Sequence, residues 1–327
     1  MIIFSLLAIL TVLLIYLLVN WLYLKTNAYK NQVLSLRNIL NGVPKKNKFV
    51  NFGSTYTMYA FNSYDELKIN AFSFAMDAQS LEIDNIMLHK YANHIDDGAI
   101  VVFGLAACVP FYRYQMTSNK NVYYKFLSKQ EIPNFNWWQA CKSAFPIGIK
   151  SWHRLKALFL DEDLMNNIVD KFPVVCSDDE ARYNMRAMAE GWIKMFKLND
   201  LKQHFSGEIN RRNLDFNSKL LCEMVSYCKE KKWNPVFVIT PFSENLNSFF
   251  GDEFIKSGLY KLMDLAIKEF DVPVYDYREH YAFQKDKAAF IDGGFRMSKY
   301  GSVKFLRILM SDINSSLLKN EYLKKWE

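Results

Sequence analysis

Residues 98–106 (Gly-Ala-Ile-Val-Val-Phe-Gly-Leu-Ala) are apolar without interruption. A strand with one wet face alternates apolar and polar residues, so an unbroken apolar run is a strand buried on both faces, and it needs helices above and below it. The flanking sequence supplies them. Residues 48–54 read as a first strand, 56–67 as a helix and 69–75 as a second strand. Residues 80–95 carry Leu81, Ile83, Ile86, Met87, Tyr91 and Ile95 at helical spacing. After an interruption of about a hundred residues, a helix at 208–232, a strand at 235–240, a helix at 253–270, a strand at 272–277 and a final helix at 298–319 complete the series. Strands alternating with helices imply parallel pairing through right-handed crossovers. The expected fold is therefore α/β: a doubly wound, mostly parallel five-stranded sheet with a helical insertion at about 109–207.

The N-terminus adds a separate constraint. Residues 2–24 are apolar apart from Ser5, Thr11 and Asn20, and no charge precedes Lys25. That length spans about 30 Å of hydrocarbon as a helix. A basic start, a short apolar core and a small-residue cleavage site, the marks of a cleaved signal peptide, are not evident. An uncleaved single-pass anchor is expected, followed by a juxtamembrane stalk at 25–47 and an α/β domain at 48–327. Lys25, Lys30, Arg37, Lys45, Lys46 and Lys48 follow the anchor, with no acidic residue before Asp65. This asymmetry places the domain on the cytoplasmic side, and it accounts for much of the net charge of +7. Such a stretch suits anionic lipid headgroups, and no basic-aromatic motif of a nucleic-acid module accompanies it. The partner expected from charge is membrane lipid, not nucleic acid. The five cysteines, Cys108, Cys141, Cys176, Cys222 and Cys228, form no disulfide framework or Cys-x-x-Cys pair. No histidine cluster has metal-ligand spacing, so no metal or cofactor is expected.

The first strand stops at Gly53-Ser54. Glycine allows a sharp exit from a strand, and in doubly wound sheets ligands bind beyond the carboxyl ends of the strands. Ser54 is thereby a candidate nucleophile, with its own backbone N–H and Gly53 as candidate oxyanion elements. A second donor is sought in Asp77-Ala78-Gln79, from a backbone N–H or the Gln79 amide, although Asp77 and Ser80 also look like helix caps. The insertion is dense in rings and cations: Asn136-Trp137-Trp138, Phe145, Ile147, Ile149, Trp152, Leu155, Leu158 and Phe159, with Lys142, Lys150, Arg154 and Lys156 between them. It suits either a helical lid on the sheet or a segment lying in a membrane interface.

In their order these blocks resemble the SGNH (GDSL-like) hydrolase and acyltransferase superfamily, and more narrowly its membrane-anchored DltD-like branch from bacterial envelope-polysaccharide clusters. Gly53-Ser54-Thr55 stands for the nucleophile block and Gln79-Ser80-Leu81 for an element after the second strand. Cys108-Val109-Pro110, Ile239-Thr240-Pro241, and Phe290-Ile291-Asp292 with Met297-Ser298-Lys299-Tyr300-Gly301 follow in order. The resemblance covers roughly 48–108 and 208–319. It implies an SGNH/flavodoxin-like sheet, a catalytic Ser54 and Asp292, and a general-base histidine three residues after the aspartate. The chain departs there. Counting forward from Asp292 reaches Phe295, and counting back from Ser298 and Gly301 reaches Arg296. Arginine does not act as a base near neutral pH, so Arg296 enters as a substrate- or oxyanion-binding candidate. His280, after the fifth strand, and Asp292 itself are the alternative bases.

Two functions follow from the resemblance. One is a serine-dependent O-acyltransferase or esterase on a cell-envelope polysaccharide or its lipid-linked precursor, with a glycan or acyl-carrier substrate and an acyl-exporting membrane protein as partner. The other is a non-catalytic binding or assembly protein on the same fold. The resemblance places the domain outside the membrane, against the charge rule.

Overall fold

The computed structural model describes residues 2–26, 29, 34–68, 70–117, 120–148, 155, 156, 158 and 176–324, and of residues 2, 34, 35, 37 and 316–324 the backbone alone. The expectations for Lys30, Ile69, Ile149, Lys150, Trp152, Arg154 and Phe159 fall outside the described residues. Five strands form one sheet: β1 (Asn47–Phe52), β2 (Ala71–Ser73), β3 (Ile95–Leu105), β4 (Asn234–Ile239) and β5 (Val274–Asp276). The helices of six residues or more are α1 (Ile2–Lys25), α2 (Leu34–Leu40), α3 (Thr55–Ala60), α4 (Leu81–Lys90), α5 (Trp137–Ala144), α6 (Asp178–Phe196), α7 (Glu208–Glu230), α8 (Lys261–Phe270) and α9 (Lys299–Lys324).

The chain divides into two compact units. One comprises Met1–Gly42 with Ser118–Asp170, the other Val43–Thr117 with Lys171–Glu327. In the first unit α1 is long and apolar enough to cross a membrane. Part of the aromatic insertion packs on it: Ile147 forms a cluster with Tyr23 and Tyr29, and Asn20 Nδ2 donates to the Ala144 carbonyl at 3.0 Å. The Trp137–Phe145 stretch thus belongs with the apolar helix, in the unit that lacks the sheet.

The second unit is a parallel sheet in the order β2-β1-β3-β4-β5. Val50 lies beside Phe72 and Val101, and Phe103 beside Phe237. The central run Val101, Val102, Phe103 and Leu105 is buried, as is β4 from Val236 to Ile239, so the unbroken apolar pattern has its expected cause. Helices α4, α7 and α8 pack as one group and α3 with α9 as another. The order 2-1-3-4-5 puts the reversal of winding between β1 and β3, and the crevice at such a switch point opens beyond the strands' carboxyl ends. Gly53-Ser54 and the segment after Leu105 leave the sheet there.

Two expected helices are interrupted. The helix after β1 breaks at Phe61–Ser63 and resumes for one turn at Tyr64–Leu67. The helix before β5 contains a π turn at Lys256–Tyr260, where Gly258 faces the ring of Phe111. A wider turn there accommodates that ring.

The attachment of α3 to the sheet is sterically strict. Thr57 is fully buried and lies against both Gly53 and Gly104. A Cβ at Gly104 would stand 2.8 Å from Thr57 Cβ and closer still to its Oγ1 and Cγ2. Overpacking of this kind costs about 1–3 kcal/mol. Gly104→Ala should destabilise the detergent-solubilised full-length chain by that amount in urea unfolding, and Gly104→Ala/Thr57→Ala should recover most of the loss. An additive double variant would show that Thr57 is not the obstacle.

Candidate active site

Ser54 is fixed by the way β1 ends. Gly53 has φ +141°, a conformation that L side chains avoid, and a Cβ there would stand 2.7 Å from the Gly104 carbonyl. The Gly53 carbonyl accepts from Met76 N–H at 3.3 Å, and its N–H donates to Asp84 Oδ1 at 3.1 Å. Ser54 then caps α3 in extended geometry (φ −99°, ψ −160°) without a side-chain capping bond. Its hydroxyl lies close to the Tyr56 phenol. The Ser54 residue is 8% exposed. The cavity it shares with Gly53, Tyr56, Gln79, Asp84 and Tyr112 measures about 10 Å³, on the order of one water probe. Tyr56 is half-buried beside Ser54, and loss of solvation pushes its phenol far up from its ordinary value.

The turn after β2 closes this cavity. Thr55 Oγ1 donates to Asp77 Oδ1 at 2.5 Å and accepts from Ala78 N–H at 3.3 Å. Tyr112 donates its hydroxyl proton to the Ala78 carbonyl at 3.1 Å. Tyr112 is held in turn by α7, where Asn217 Nδ2 donates to the Pro110 and Tyr112 carbonyls at 2.9 and 3.0 Å. Gln79 donates from Nε2 to the Phe74 carbonyl at 3.0 Å and to Asp84 Oδ1 at 2.6 Å. An amide nitrogen has two protons, so neither points into the cavity as an oxyanion donor. Gln79 ties the turn to α4.

Asp84 is the residue that the sequence reading missed. It is 2% exposed, and burial pushes its carboxyl up to about 7 against the opposing bonds from Gln79 and Gly53. Its signal was readable: position 84 falls on the same helical face as Leu81, Met87 and Leu88, which are buried.

The last block is a self-contained turn. Asp292 Oδ1 accepts the N–H groups of Gly294, Phe295 and Arg296 at 2.9, 3.0 and 3.2 Å. Its Oδ2 has no hydrogen-bond partner among the described residues, and Arg296 Nε lies 3.8 Å away. Burial raises the Asp292 carboxyl, while the three N–H bonds and Arg296 act in the other direction. Ser243 anchors the turn to the end of β4, donating from Oγ to the Gly293 carbonyl at 2.7 Å and from N–H to the Gly294 carbonyl at 2.9 Å. The glycines answer to α6. A Cβ at Gly293 would stand 2.7 Å from Ala181 Cα, and one at Gly294 would stand 2.8 Å from Met185 Cγ.

Phe295, at the position where the resemblance asks for histidine, is 3% exposed. Its ring meets Tyr56 at 6.0 Å and Trp192 at 6.1 Å. Burying such a ring contributes about 1.5–3 kcal/mol. Two aromatic rings, Tyr56 and Phe295, therefore link Ser54 to the Asp292 turn, with no ionisable base between them in that chain of contacts. Arg296 reaches outward over Tyr59 and Phe295. With Asp292, Trp192, Met185, Met188 and Met195 it lines a separate groove of about 450 Å³. His280 caps the one-turn helix Tyr281–Gln284, where its Nδ1 accepts from Ala282 N–H at 3.3 Å. Its ring lies against Tyr281 and Tyr277.

The structure thus brings Gly53, Ser54 and Gln79 to one cavity and Asp292 with Arg296 to another, and His280 lines neither. Among the described residues no group of three or more His, Cys, Asp or Glu could hold a metal. No family model and no curated protein matches the sequence. A solved structure from Bacteroides fragilis, provisionally described as an acylhydrolase, is similar at 11% identity over 86% of this chain and 94% of that one, with a TM-score of 0.40.

The Asp84 carboxyl gives a pH signature. Its ordinary value is near 3.9, so between about pH 4 and 7 the folded chain holds a proton that the unfolded chain has released. Stability then falls as pH rises through that window, and the full penalty is present above pH 7. Asp84→Asn should remove part of this fall. Thermal melting of both proteins at pH 5 and pH 8 checks it: the wild type should lose more between the two than the variant. Parallel losses would show that Asp84 titrates normally.

Proposed function

We propose that this chain is a membrane-anchored, SGNH-like binding or assembly protein of envelope-polysaccharide biosynthesis, in which Ser54 organises the site and performs no hydrolysis. The observation that carries the reading is Phe295, buried on Tyr56 where a general base is required. A serine hydroxyl is a weak nucleophile without a neighbour to take its proton, and general-base assistance supplies about 10²–10⁴ in rate. The Ser54 cavity of about 10 Å³ admits no acyl group. A ligand has room in the groove beside Asp292 and Arg296 instead, where a half-exposed guanidinium offers donors to a glycan or an acidic acyl-carrier group.

A second reading, a serine O-acyltransferase or esterase, has two observations in its favour. The Ser54 hydroxyl is not spent on capping α3, and Asp292 Oδ2 accepts no hydrogen bond among the described residues while burial raises its proton affinity, as a carboxyl serving as base near neutral pH requires. Turnover on this route needs Tyr56 and Phe295 to move apart.

In a strain lacking the gene, Ser54→Ala should restore envelope polysaccharide and its acyl content to the wild-type level, whereas Arg296→Ala should not. Failure of Ser54→Ala at normal protein abundance would favour the acyl-transfer reading. The basic residues after α1 lead us to place the α/β unit on the cytoplasmic side, acting on a lipid-linked precursor. A C-terminal green fluorescent protein fusion should be bright and an alkaline phosphatase fusion inactive; the reverse pair would put the unit outside.

A further inference from the structure

Helix α5 carries its large apolar side chains on the outside. Trp137, Trp138 and Phe145 are 66%, 68% and 41% exposed, and with the exposed Cys141 they fall at i, i+1, i+4 and i+8, along one stripe. The inward side is the polar one: Ser143 is buried and its Oγ donates to the Asn121 carbonyl at 3.0 Å. This pattern is inverted relative to a helix packed on a protein core.

The stripe is held beside α1 by specific contacts. Asn20, 4% exposed within the apolar helix, donates to the Ala144 carbonyl at 3.0 Å and accepts from Ile147 N–H at 3.5 Å. Hydrocarbon offers an amide no partner, so the turn after α5 meets the hydrogen-bonding need of the most polar side chain in the span. Phe145 stacks on Tyr16 at 6.3 Å between ring centres. At 1.5 Å rise per residue, Asn20 lies about 8 Å and Tyr16 about 14 Å along the axis from Lys25. Lys25 stands over Trp21 at 3.6 Å. In the same manner Lys129 stands over Trp137 at 4.7 Å and Lys142 over Trp138 at 5.1 Å. Paired indole and ammonium groups are what the boundary between acyl chains and headgroups accommodates.

We infer that α5 and the turn after it lie in the headgroup–acyl boundary of the bilayer that α1 crosses, with Trp137, Trp138 and Phe145 toward the acyl chains and Lys129 and Lys142 at anionic headgroups. The inference rests on α1 being a membrane span, the anchoring part of the proposed function. It adds a second point of attachment, which restrains rotation of this unit about the anchor axis as a single helix does not. Amphipathic segments of this kind bury their apolar face about 5–10 Å into the boundary, in keeping with the position of Asn20.

Native Cys141 lies on the stripe and serves as the reporter. A nitroxide is attached to Cys141 of the full-length Cys176→Ser chain in phosphatidylcholine/phosphatidylglycerol vesicles, and its collision rates with oxygen and with water-soluble nickel chelate are compared. Two references use the Cys141→Ser background: Leu10→Cys for the span and Glu190→Cys for water. The expected Cys141 ratio of oxygen to nickel accessibility lies between the references and on the lipid side. A Cys141 ratio equal to that of Glu190→Cys, with Leu10→Cys reading lipid, overturns the inference and leaves the anchor standing. An aqueous reading at Leu10→Cys overturns both.

Discussion

The close approach of Thr57 to Gly53 and Gly104 is the constraint from which the site follows. Because two adjacent strands both lack a side chain at their carboxyl ends, α3 begins directly on the sheet, and Ser54 sits at the switch point rather than on a loop above it. The Gly53 N–H that faces inward then needs an acceptor, and Asp84 supplies it at the expense of a buried carboxyl. Gln79 is drawn in to share that acid. The serine turn is thereby held by bonds that leave little space and few free donors around it.

The same kind of packing decides the other half of the site. Helix α6 rests on Gly293 and Gly294, and the Asp292 turn carries Phe295 beneath it against Tyr56 and Trp192. Asp292 spends one oxygen on three backbone N–H groups of its own turn. The arrangement contributes burial and rigidity where an acid-base relay would need a polar, open path. The methionine-lined groove with Arg296 is accessible, and its flexible thioethers adapt to differently shaped ligands.

The fold was legible because periodicity reports burial. The unbroken run of β3 and the alternation of elements predicted a five-stranded parallel sheet, and the place of Ser54 at a strand's carboxyl end followed from it. Local exceptions were not legible. The break at Phe61–Ser63 and the π turn at Lys256–Tyr260 interrupt stretches whose apolar spacing is helical throughout, and at the π turn Gly258 faces the ring of Phe111. Asp84 was passed over because an acid on a helix is ordinarily solvated, although its apolar neighbours on that face marked it. The roles sought for Gln79 and His280 depended on where their side chains point, and in both cases nearby backbone groups compete for them. The absence of histidine near Asp292 was visible, but the reason Phe295 can stand there, a glycine pair beneath α6, was not. The aromatic insertion suited a lid on the sheet as well as an interfacial segment, since both bury the same rings, and the lid was the expected one of the two; the contacts of Asn20 and Tyr16 attach that part to the apolar helix.

The proposed function requires that Ser54, at the carboxyl end of β1, is not activated as a nucleophile. Treatment of the detergent-purified full-length chain with a fluorophosphonate, followed by mass spectrometry of the peptide bearing Ser54, tests it directly. The account predicts no phosphonyl adduct on Ser54 in the wild type under conditions that label a serine esterase control to completion. A Ser54 adduct that disappears in Ser54→Ala would contradict it and establish an activated serine.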